Sequence, residues 1–249
     1  MKVEARHNQI LEILSENASV GVTAISASLG VSQVTIRNDL KVLSTKGLIH
    51  RNHGGASPAL HPSILDRQRH RPEIKSAIAK AAADMVQDGD TIMIDAGTTT
   101  ALIVKHLLGK RDVRLVTSNL LALTYARMIP TLNLTLVGGE YRAETESLVG
   151  PMTLRALEEY HVKLAFIGTD GFSLENGTTT HLVEGAEVVK TLRKQSDKTV
   201  LLTDSSKYGK TGFAKILPLE SVDHIICDGS LPEEVALKLK KNHLELTLV

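Results

Sequence analysis

Two short helical patterns separated by one glycine, within residues 20–45, constrain the fold of this chain more than any other feature. In the first pattern, Ile25 and Leu29 share one face, and Gly30 can end the helix because glycine readily adopts the left-handed conformation. The second pattern begins at Ser32, whose hydroxyl can cap a helix, and its apolar residues lie at i, i+4 and i+7. These residues are Ile36, Leu40 and Leu43. A short helix, a glycine turn and a second helix at this spacing predict a helix-turn-helix.

The sequence on either side of this motif extends it into a winged domain. Residues 4–16 have the spacing of a further amphipathic helix. After the motif, an apolar and basic run at 48–51 and a glycine-containing run at 52–56 predict a small hairpin, the wing. We therefore expect a mainly α winged helix-turn-helix over residues 1–57, a class that places its second motif helix in the major groove of DNA.

The outer face of the second motif helix carries the side chains that could read DNA. With the apolar stripe turned inward, the other positions hold Gln33, Val34, Thr35, Arg37, Asn38 and Lys41. Gln and Asn can pair with adenine and Arg with guanine, while the threonine and valine suit phosphate or thymine-methyl contacts. We expect Lys41 and Arg51 to contact phosphates, and Ser32 and His53 complete the candidate DNA-contacting set. A solvated polar face, or a winged helix that binds protein, is the alternative.

The charge of the chain is unevenly distributed. The net charge is +1, but the first 75 residues carry ten Lys or Arg against six Asp or Glu, and the rest carry 19 against 22. A basic head on a slightly acidic body suits a polyanion-binding module joined to a second domain.

Beyond residue 57 the sequence predicts a linker and then an α/β domain. Residues 58–72 contain three prolines and are expected to form a partly extended linker. From residue 73 onward, short β-rich runs alternate with helical stretches. The seven runs cover residues 91–95, 113–117, 132–137, 164–168, 199–203, 224–227 and 244–249. Such alternation predicts a mainly parallel sheet with helices on both faces over residues 73–249.

Small and polar residues follow five of the predicted strands. The clearest stretch holds Asp95, Gly97, Thr98, Thr99 and Thr100. Its glycine allows close approach of the backbone, and its threonines precede a helix, as in a phosphate cradle. The other strand ends hold Ser118, Asn119, Gly138, Gly139, Asp170, Gly171 and Lys207. Because ligands bind beyond the carboxyl ends of parallel strands, we expect one shared cleft, with threonine-rich caps that only terminate strands as the alternative at 95–100.

The motif residues resemble those of a known family. The stretch 31–40, followed by Leu43 and by the wing residues 51–56, closely resembles the DeoR-type bacterial regulators of sugar catabolism. Asn38 stands where many members carry a basic residue, so the operator sequence does not transfer from the family. The resemblance continues through the second domain, which is similar in fold to ribose-5-phosphate isomerase and glucosamine-6-phosphate deaminase. It implies phosphate binding at residues 97–100 and sugar contacts at Asn119, Asp170 and Lys207.

The function implied is repression of a sugar-catabolism operon, with release from double-stranded operator DNA by a phosphorylated sugar. Because helix-turn-helix proteins usually bind paired half-sites, we expect a homo-oligomer, a dimer or higher. The alternatives are a sugar-phosphate isomerase-like enzyme with a DNA-binding head, and a scaffold without a ligand. An isomerase needs a carboxylate base beside a lysine- and glycine-rich loop; residues 172–177 hold no lysine, and Glu184 remains as a candidate base. We therefore expect no catalytic residue, no cofactor and no metal.

The remaining sequence features point to a cytoplasmic protein. No apolar run approaches the length needed to span a bilayer, and the first residues lack the apolar core of a signal peptide. The single cysteine, Cys227, lies in an apolar run and is expected to be a buried, inert thiol. One cysteine allows no internal disulfide, which fits a reducing compartment.

Overall fold

The computed structural model describes residues 3–17, 20–45, 48–52, 55–241 and 244–249. The chain divides into two compact units between His70 and Arg71. The first comprises the described residues up to His70 together with Ala143–Thr145, and the second comprises the described residues of Arg71–Arg142 and Glu146–Val249. No helix within these ranges is both long and apolar enough to cross a membrane.

The first unit is a helix-turn-helix followed by a hairpin and a further helix. Its elements are α1 (Val3–Glu16), α2 (Val22–Leu29), α3 (Gln33–Thr45), β1 (Ile49–Asn52), β2 (Gly55–Pro58) and α4 (Pro62–Arg69). Gly30, with φ 64°, ends α2 in the left-handed conformation, and its N–H donates to the carbonyl of Ser26. The two strands pair antiparallel, with Arg51 opposite Ala56. The predicted helix-turn-helix and wing are therefore confirmed.

The helix α4 lies where we expected an extended linker. Pro62 occupies the first turn of this helix, where its missing N–H costs no hydrogen bond, and a ring nitrogen of His61 accepts from the N–H of Ser63 at 3.3 Å. Leu65 is buried in the same core as Ile36 and Leu40. The prediction of a linker over 58–72 is thus wrong for residues 62–69, because prolines that start a helix resemble prolines that prevent one.

The second unit begins at Arg71 and contains six helices and twelve strands among the described residues. In chain order these are α5 (Pro72–Asp84), β3 (Thr91–Ile94), α6 (Thr98–Lys105), β4 (Arg114–Thr117), α7 (Leu121–Ala126), β5 (Asn133–Leu136), β6 (Glu140–Arg142), β7 (Ser147–Val149), α8 (Pro151–Glu158), β8 (Val162–Ile167), β9 (Gly171–Ser173), β10 (Gly177–Thr180), α9 (Val183–Lys194), β11 (Ser196–Leu202), β12 (Ala214–Lys215), β13 (His224–Cys227), α10 (Glu233–Lys241) and β14 (Glu245–Leu248).

Seven of the strands form one parallel sheet in the order β14-β13-β11-β8-β3-β4-β5. They are the seven strands expected from the sequence, so the parallel α/β prediction is confirmed. Alternate residues of β3 enter different cores: Ile92 and Ile94 pack with residues of α5 and α6, and Met93 packs with residues of α8 and α9. The sheet is therefore covered by helices on both faces, which explains why its strands read as continuous apolar runs.

The order of the strands reverses beside β3. From β3 the chain builds outward through β4 and β5, and it then returns to place β8 on the other side of β3. The connections after β3 and β8 consequently leave the sheet in opposite directions and open a crevice beyond their carboxyl ends. Asp95 follows β3 and Gly168 follows β8, so both lie at this crevice.

Two small antiparallel sheets were not expected from the sequence. One is the hairpin β6–β7, and the other has three strands in the order β12-β10-β9. Their strands have two to four residues each, which is too short for an alternating apolar pattern to emerge. Three residues separate the end of β8 from β9 in the second of these sheets, so this sheet adds backbone next to the crevice.

The packing of α3 gives a test of the first unit. Replacement of Leu40, 1% exposed, by alanine should lower the free energy of unfolding of this unit by about 2–5 kcal/mol, because it leaves a cavity in the core. The matched control is Val42→Ala on the same helix, where the valine is 43% exposed. Urea titration followed by circular dichroism measures both variants. Equal midpoints would contradict the assigned orientation of α3.

Candidate functional sites

The outer face of α3 presents the predicted DNA-reading residues to solvent. Side chains that are exposed there are Ser32, Gln33, Val34, Arg37, Asn38 and Lys41, and Arg51 is exposed on β1. Thr35 is half-buried: its N–H donates to the Ser32 hydroxyl at 3.2 Å, and the two hydroxyl oxygens lie 2.9 Å apart. Ser32 thereby caps α3 and fixes where the exposed face begins. His53 lies outside the described residues.

A buried carboxylate holds α3 against α1. Asp39 is 5% exposed, and its two oxygens accept from the Arg6 guanidinium at 2.6 and 3.0 Å. His7 Nε2 lies 3.1 Å from Asp39 Oδ1. Burial alone would raise the pKa of the Asp39 carboxyl, but the hydrogen bonds from Arg6 and His7 hold it below its ordinary value. Asp39 therefore lies on the core side of α3, opposite the exposed face of this helix.

The loop after β3 is held by two side chains that were expected to contact a ligand. Thr100 Oγ1 donates to the carbonyls of Asp95 and Gly97, at 2.8 and 3.1 Å. Asn119 Nδ2 donates to the same two carbonyls, at 3.0 Å each, and Asn119 Oδ1 accepts from the N–H of Leu121. Both side chains are buried, at 1% and 0% exposure. Thr100 and Asn119 therefore shape the loop from behind, and the expectation that Asn119 touches a sugar does not fit its position.

The front of this loop is the start of α6. Gly97 precedes the helix with φ 148°, a conformation that favours glycine. Thr98 is buried and Thr99 is half-exposed in the first turn. The first amides of a helix have no acceptor within the helix, so the N–H groups of residues 97–99 need an acceptor from outside it. This arrangement suits an anion.

Asp95 connects the ends of β3 and β8. Its Oδ2 accepts from the N–H of Gly168 at 3.2 Å, and the side chain is 6% exposed. Burial raises the pKa of this carboxyl to about 7; Asp170 adds to the rise, while backbone hydrogen bonds and the positive charge of Lys207 oppose it. Asp95 bonds to Gly168 and Lys207 bonds to Thr169, the two residues before Asp170, so the three side chains belong to one neighbourhood. The carboxyl can thus exchange a proton near neutral pH.

Asp170 and Lys207 are half-exposed and anchored. Asp170 Oδ2 accepts from the Thr180 hydroxyl at 2.8 Å and from the N–H of His181 at 3.0 Å. Lys207 Nζ donates to the carbonyl of Thr169 at 2.6 Å. The strand ends of β8 and β11 therefore bring a carboxylate and an ammonium group to the same edge. Both remain accessible in part to a ligand.

The other predicted positions have mainly packing roles. A Cβ on Gly171 would lie 2.2 Å from the carbonyl oxygen of Lys210, and one on Gly139 would lie 1.9 Å from Thr153 Oγ1. The Gly138 carbonyl accepts from that same threonine hydroxyl at 2.8 Å. Ser118 is buried, and its carbonyl accepts from the N–H of Leu148. These four residues hold backbone segments together, which differs from the expected ligand contacts.

Sequence reasoning missed an ionic cluster on the same edge. Arg71 Nη1 donates to Asp204 Oδ1 at 2.9 Å and to Ser205 Oγ at 3.1 Å, and its Nη2 lies 3.5 Å from Asp228 Oδ2. Asp204 and Asp228 follow closely after β11 and β13, so the sequence alone predicts that they lie at the carboxyl edge of the sheet. The partner Arg71, 133 residues away from Asp204, was not predictable in this way.

The side chains that the sequence offers for catalysis or metal binding have structural surroundings. Glu184 accepts from Arg142 at 2.7 Å, a hydrogen bond that lowers the pKa of this carboxyl. Burial raises the pKa of the Cys227 thiol to about 12, which fits the expected inert thiol. Within the described ranges, no group of three or more His, Cys, Asp or Glu is arranged to hold a metal ion.

The ion pairs of Asp39 predict acid sensitivity of the first unit. Since the folded-state pKa lies below the ordinary value of 3.8, the stabilisation is complete above that value and is lost as pH falls through the lower folded-state pKa. Asp39→Asn should cost about 2 kcal/mol at pH 7, because hydrogen bonds to charged groups are weakened or lost. It should also remove this part of the acid dependence. Urea unfolding between pH 2 and 7 compares it with the wild type, and parallel pH profiles would contradict the assignment.

Comparison with known proteins identifies the family to which both parts of the chain are similar. A family model described as the DeoR C terminal sensor domain matches residues 70–229, and a DeoR-like helix-turn-helix model matches residues 6–59. A putative aga operon transcriptional repressor of Escherichia coli O157:H7 is 32% identical, over 98% of this chain and 93% of the relative. The glycerol-3-phosphate regulon repressor of Escherichia coli K12 is 28% identical, with 100% of both chains covered.

Other relatives extend the comparison. The HTH-type transcriptional regulator GlpR of Haloferax volcanii is 32% identical, over 91% of this chain and 90% of the relative. Ribose 5-phosphate isomerase from Plasmodium falciparum overlaps with a TM-score of 0.41 and 20% identity, over 57% of this chain and 55% of that chain. That overlap is partial and says nothing about activity. Both family models and the full-length relatives lead to one conclusion: the chain belongs to the DeoR family and is a DNA-binding transcriptional regulator.

Proposed function

We propose that the protein is a repressor that leaves its operator when a phosphorylated sugar binds the carboxyl edge of the parallel sheet. The observation that carries this proposal is the meeting of Asp95 and Lys207 at residues 168–170, beside Asp170 and the start of α6, at the point where the strand order reverses. An anion-binding helix start next to carboxylates and an ammonium group matches a ligand with one phosphate and several hydroxyls.

The relatives support the same direction of regulation. Two of them are named as repressors, of the aga operon and of the glycerol-3-phosphate regulon. The second name contains a phosphorylated polyol, which has the phosphate and hydroxyl groups that the proposed site suits. We extend repression and a phosphorylated effector to this chain on that ground.

In the proposed complex, the phosphate lies against the amides of Gly97, Thr98 and Thr99. Asp95 and Asp170 accept hydrogen bonds from hydroxyl groups of the sugar, and Lys207 balances negative charge. Thr100 and Asn119 hold the loop so that these amides keep their direction before the ligand arrives. A site that is already formed loses less conformational entropy on binding.

Release of DNA then follows as a population shift. If the effector favours the arrangement of the first unit that binds DNA poorly, a coupling free energy of about 1–3 kcal/mol lowers the affinity for the operator by about 5- to 150-fold. We propose that the protein works as a homo-oligomer, because a pair of α3 helices is needed to read two half-sites. Cytoplasmic action follows from the need to meet both the operator and the phosphorylated sugar.

We also propose that the site senses its ligand without converting it. The loop after Asp170 has no lysine, and Glu184 is occupied by Arg142. We expect no turnover when the protein is mixed with ribose 5-phosphate, glucosamine 6-phosphate or glycerol 3-phosphate. Accumulation of an isomerised product would favour the enzyme alternative.

The exposed face of α3 gives a test of DNA reading. Arg37→Ala should weaken operator binding by about 1–3 kcal/mol and relax the base preference. Lys41→Ala should weaken binding to all sequences and reduce the slope of log binding constant against log salt concentration by about one. Fluorescence anisotropy at several salt concentrations measures both, on a duplex selected by the wild type from a random pool. Lys80→Ala on α5, with an exposed ion pair to Asp84, is the charge-matched control. Unchanged binding by Arg37→Ala would contradict the assignment of α3.

Lys207 gives a test of the effector site. Lys207→Ala should bind operator as the wild type does, but its affinity for the effector should fall about tenfold or more, because a charge-assisted hydrogen bond is lost. Thermal shift with the three phosphorylated compounds identifies a ligand, and calorimetry gives its affinity. The control is Lys210→Ala, which removes an exposed lysine of the same segment. Equal affinities of the two variants would refute the proposed site.

A further inference from the structure

The passage from the first unit into the second is only two residues long. α4 ends at Arg69 and α5 begins at Pro72, so His70 and Arg71 form the whole connection. Leu65 fixes α4 in the core of the first unit, and Ile78 fixes α5 in a core of the second. His70 and Arg71 are therefore the covalent link between a helix fixed in one core and a helix fixed in the other.

The conformation of Arg71 is unfavourable by itself. Its φ is 51° and its ψ is 50°, a left-handed conformation that is unfavourable for residues other than glycine. The residue also precedes a proline, a position that favours extended backbone. A positive side chain at the start of α5 gains nothing from the helix dipole, which favours negative charge there. Something other than local preference must hold Arg71 in place.

The side chain of Arg71 supplies that hold. It contacts Asp204, Ser205 and Asp228. The side chain of Asp204 is 2% exposed and that of Asp228 is 5% exposed. Asp228 is itself fixed, since its oxygens accept from the N–H of Ser205 at 2.6 Å and from the Ser205 hydroxyl at 2.9 Å. Buried carboxylates need a positive partner, so the loss of this contact is strongly unfavourable. The left-handed connection and the ionic cluster therefore exist together.

The same cluster continues into the proposed effector site. Asp204 caps the single turn Ser205–Lys207: its carboxylate accepts from the N–H of Ser206 at 3.1 Å, and its carbonyl accepts from the N–H of Lys207. Lys207 ends this turn and reaches the carbonyl of Thr169. A ligand that draws Lys207 toward it acts on a three-residue turn whose other end is held by Arg71.

We propose that Arg71 is the residue that couples effector binding to DNA binding. A ligand on Lys207 shifts the turn Ser205–Lys207, the contacts of Arg71 with Asp204 and Ser205 change, and the backbone of Arg71 leaves the left-handed conformation. The conformation of the connection between α4 and α5 changes with it. This inference rests on the proposed function, because it takes Lys207 as a contact of the effector. Arg71 acts here as a positioning residue and touches neither ligand.

The first experiment separates coupling from binding. Arg71→Gly removes the side chain but accepts a positive φ, and Arg71→Lys keeps the charge but cannot bridge the two carboxylates in the same way. Operator affinity is measured with and without whichever of the three phosphorylated compounds shifts the wild-type melting temperature. In the wild type we expect the compound to weaken operator binding at least tenfold, within the usual range of coupling. In both variants the compound should weaken operator binding by less than twofold. The affinity of each variant for operator alone, and for the compound alone, should stay within about threefold of the wild-type value.

The control and the overturning result are defined by the same titration. Lys80→Ala, which removes an exposed charge from α5, should retain the full wild-type change. If either folded Arg71 variant also retains it, the proposal is refuted. A purely structural role of Arg71 would instead lower the affinity for operator or compound in the variants and leave the ratio between the two states unchanged.

A second experiment needs no sugar phosphate. Because coupling is reciprocal, operator DNA bound to the wild type should change hydrogen exchange at the amides of Ser206 and Lys207, and this change should be absent in Arg71→Lys. No change in the wild type would overturn the proposal. If DNA does change exchange there but no phosphorylated compound binds, the coupling stands and the proposed effector class is wrong.

Discussion

The carboxyl ends of parallel strands lie at the same edge of their sheet. This geometric constraint determines where the polar side chains that follow the strands of the second unit come together. The reversal of strand order beside β3 opens that edge, and Asp95 then ties the ends of β3 and β8 through its hydrogen bond with Gly168. Residues that are far apart in the chain, such as Asp95, Asp170 and Lys207, come to one edge for this reason. In the first unit the exposed functional residues lie instead on one face of the helix α3.

Both units use a buried carboxylate to hold a functional surface. In the first unit Asp39 fixes the reading helix through Arg6 and His7, and in the second Asp204 and Asp228 fix the turn before Lys207 through Arg71. Buried ion pairs add little net stability compared with apolar packing, but they permit few alternative arrangements. We regard them as devices that define geometry, which is what a sequence reader and a ligand sensor both require.

The parts of the structure that were predictable depend on local or periodic signals. The stripe of Ile36, Leu40 and Leu43 repeats along one helix, and the seven apolar runs are long enough to stand out between helices, so the α3 helix and the sheet were both foreseen. Positions of polar residues at strand ends were foreseen as well. The roles of these residues were harder to predict. The sequence cannot show that Asn119 donates to two carbonyls of the neighbouring loop rather than facing a cleft, because this depends on the packing of β3 against β4.

The features that escaped prediction depend on contacts between distant residues or on context. The pairing of Arg71 with Asp204 and of Arg6 with Asp39 spans 133 and 33 residues. The strands β6, β7, β9, β10 and β12 are too short to carry a pattern of their own. Pro62 was misread because proline is unfavourable inside a helix yet favourable in its first turn, and only the burial of Leu65 distinguishes the two cases.

The short connection at His70 and Arg71 also determines where the domains of two regulators can be joined in a chimera. Because Leu65 of α4 completes the core that contains Ile36 and Leu40, a DNA-binding module cut after the wing would lose part of its own interior. A chimera intended to give this sensor a new operator should therefore be joined between His70 and Arg71. Such a junction keeps α4 with its helix-turn-helix and leaves Arg71 with the carboxylates that hold it.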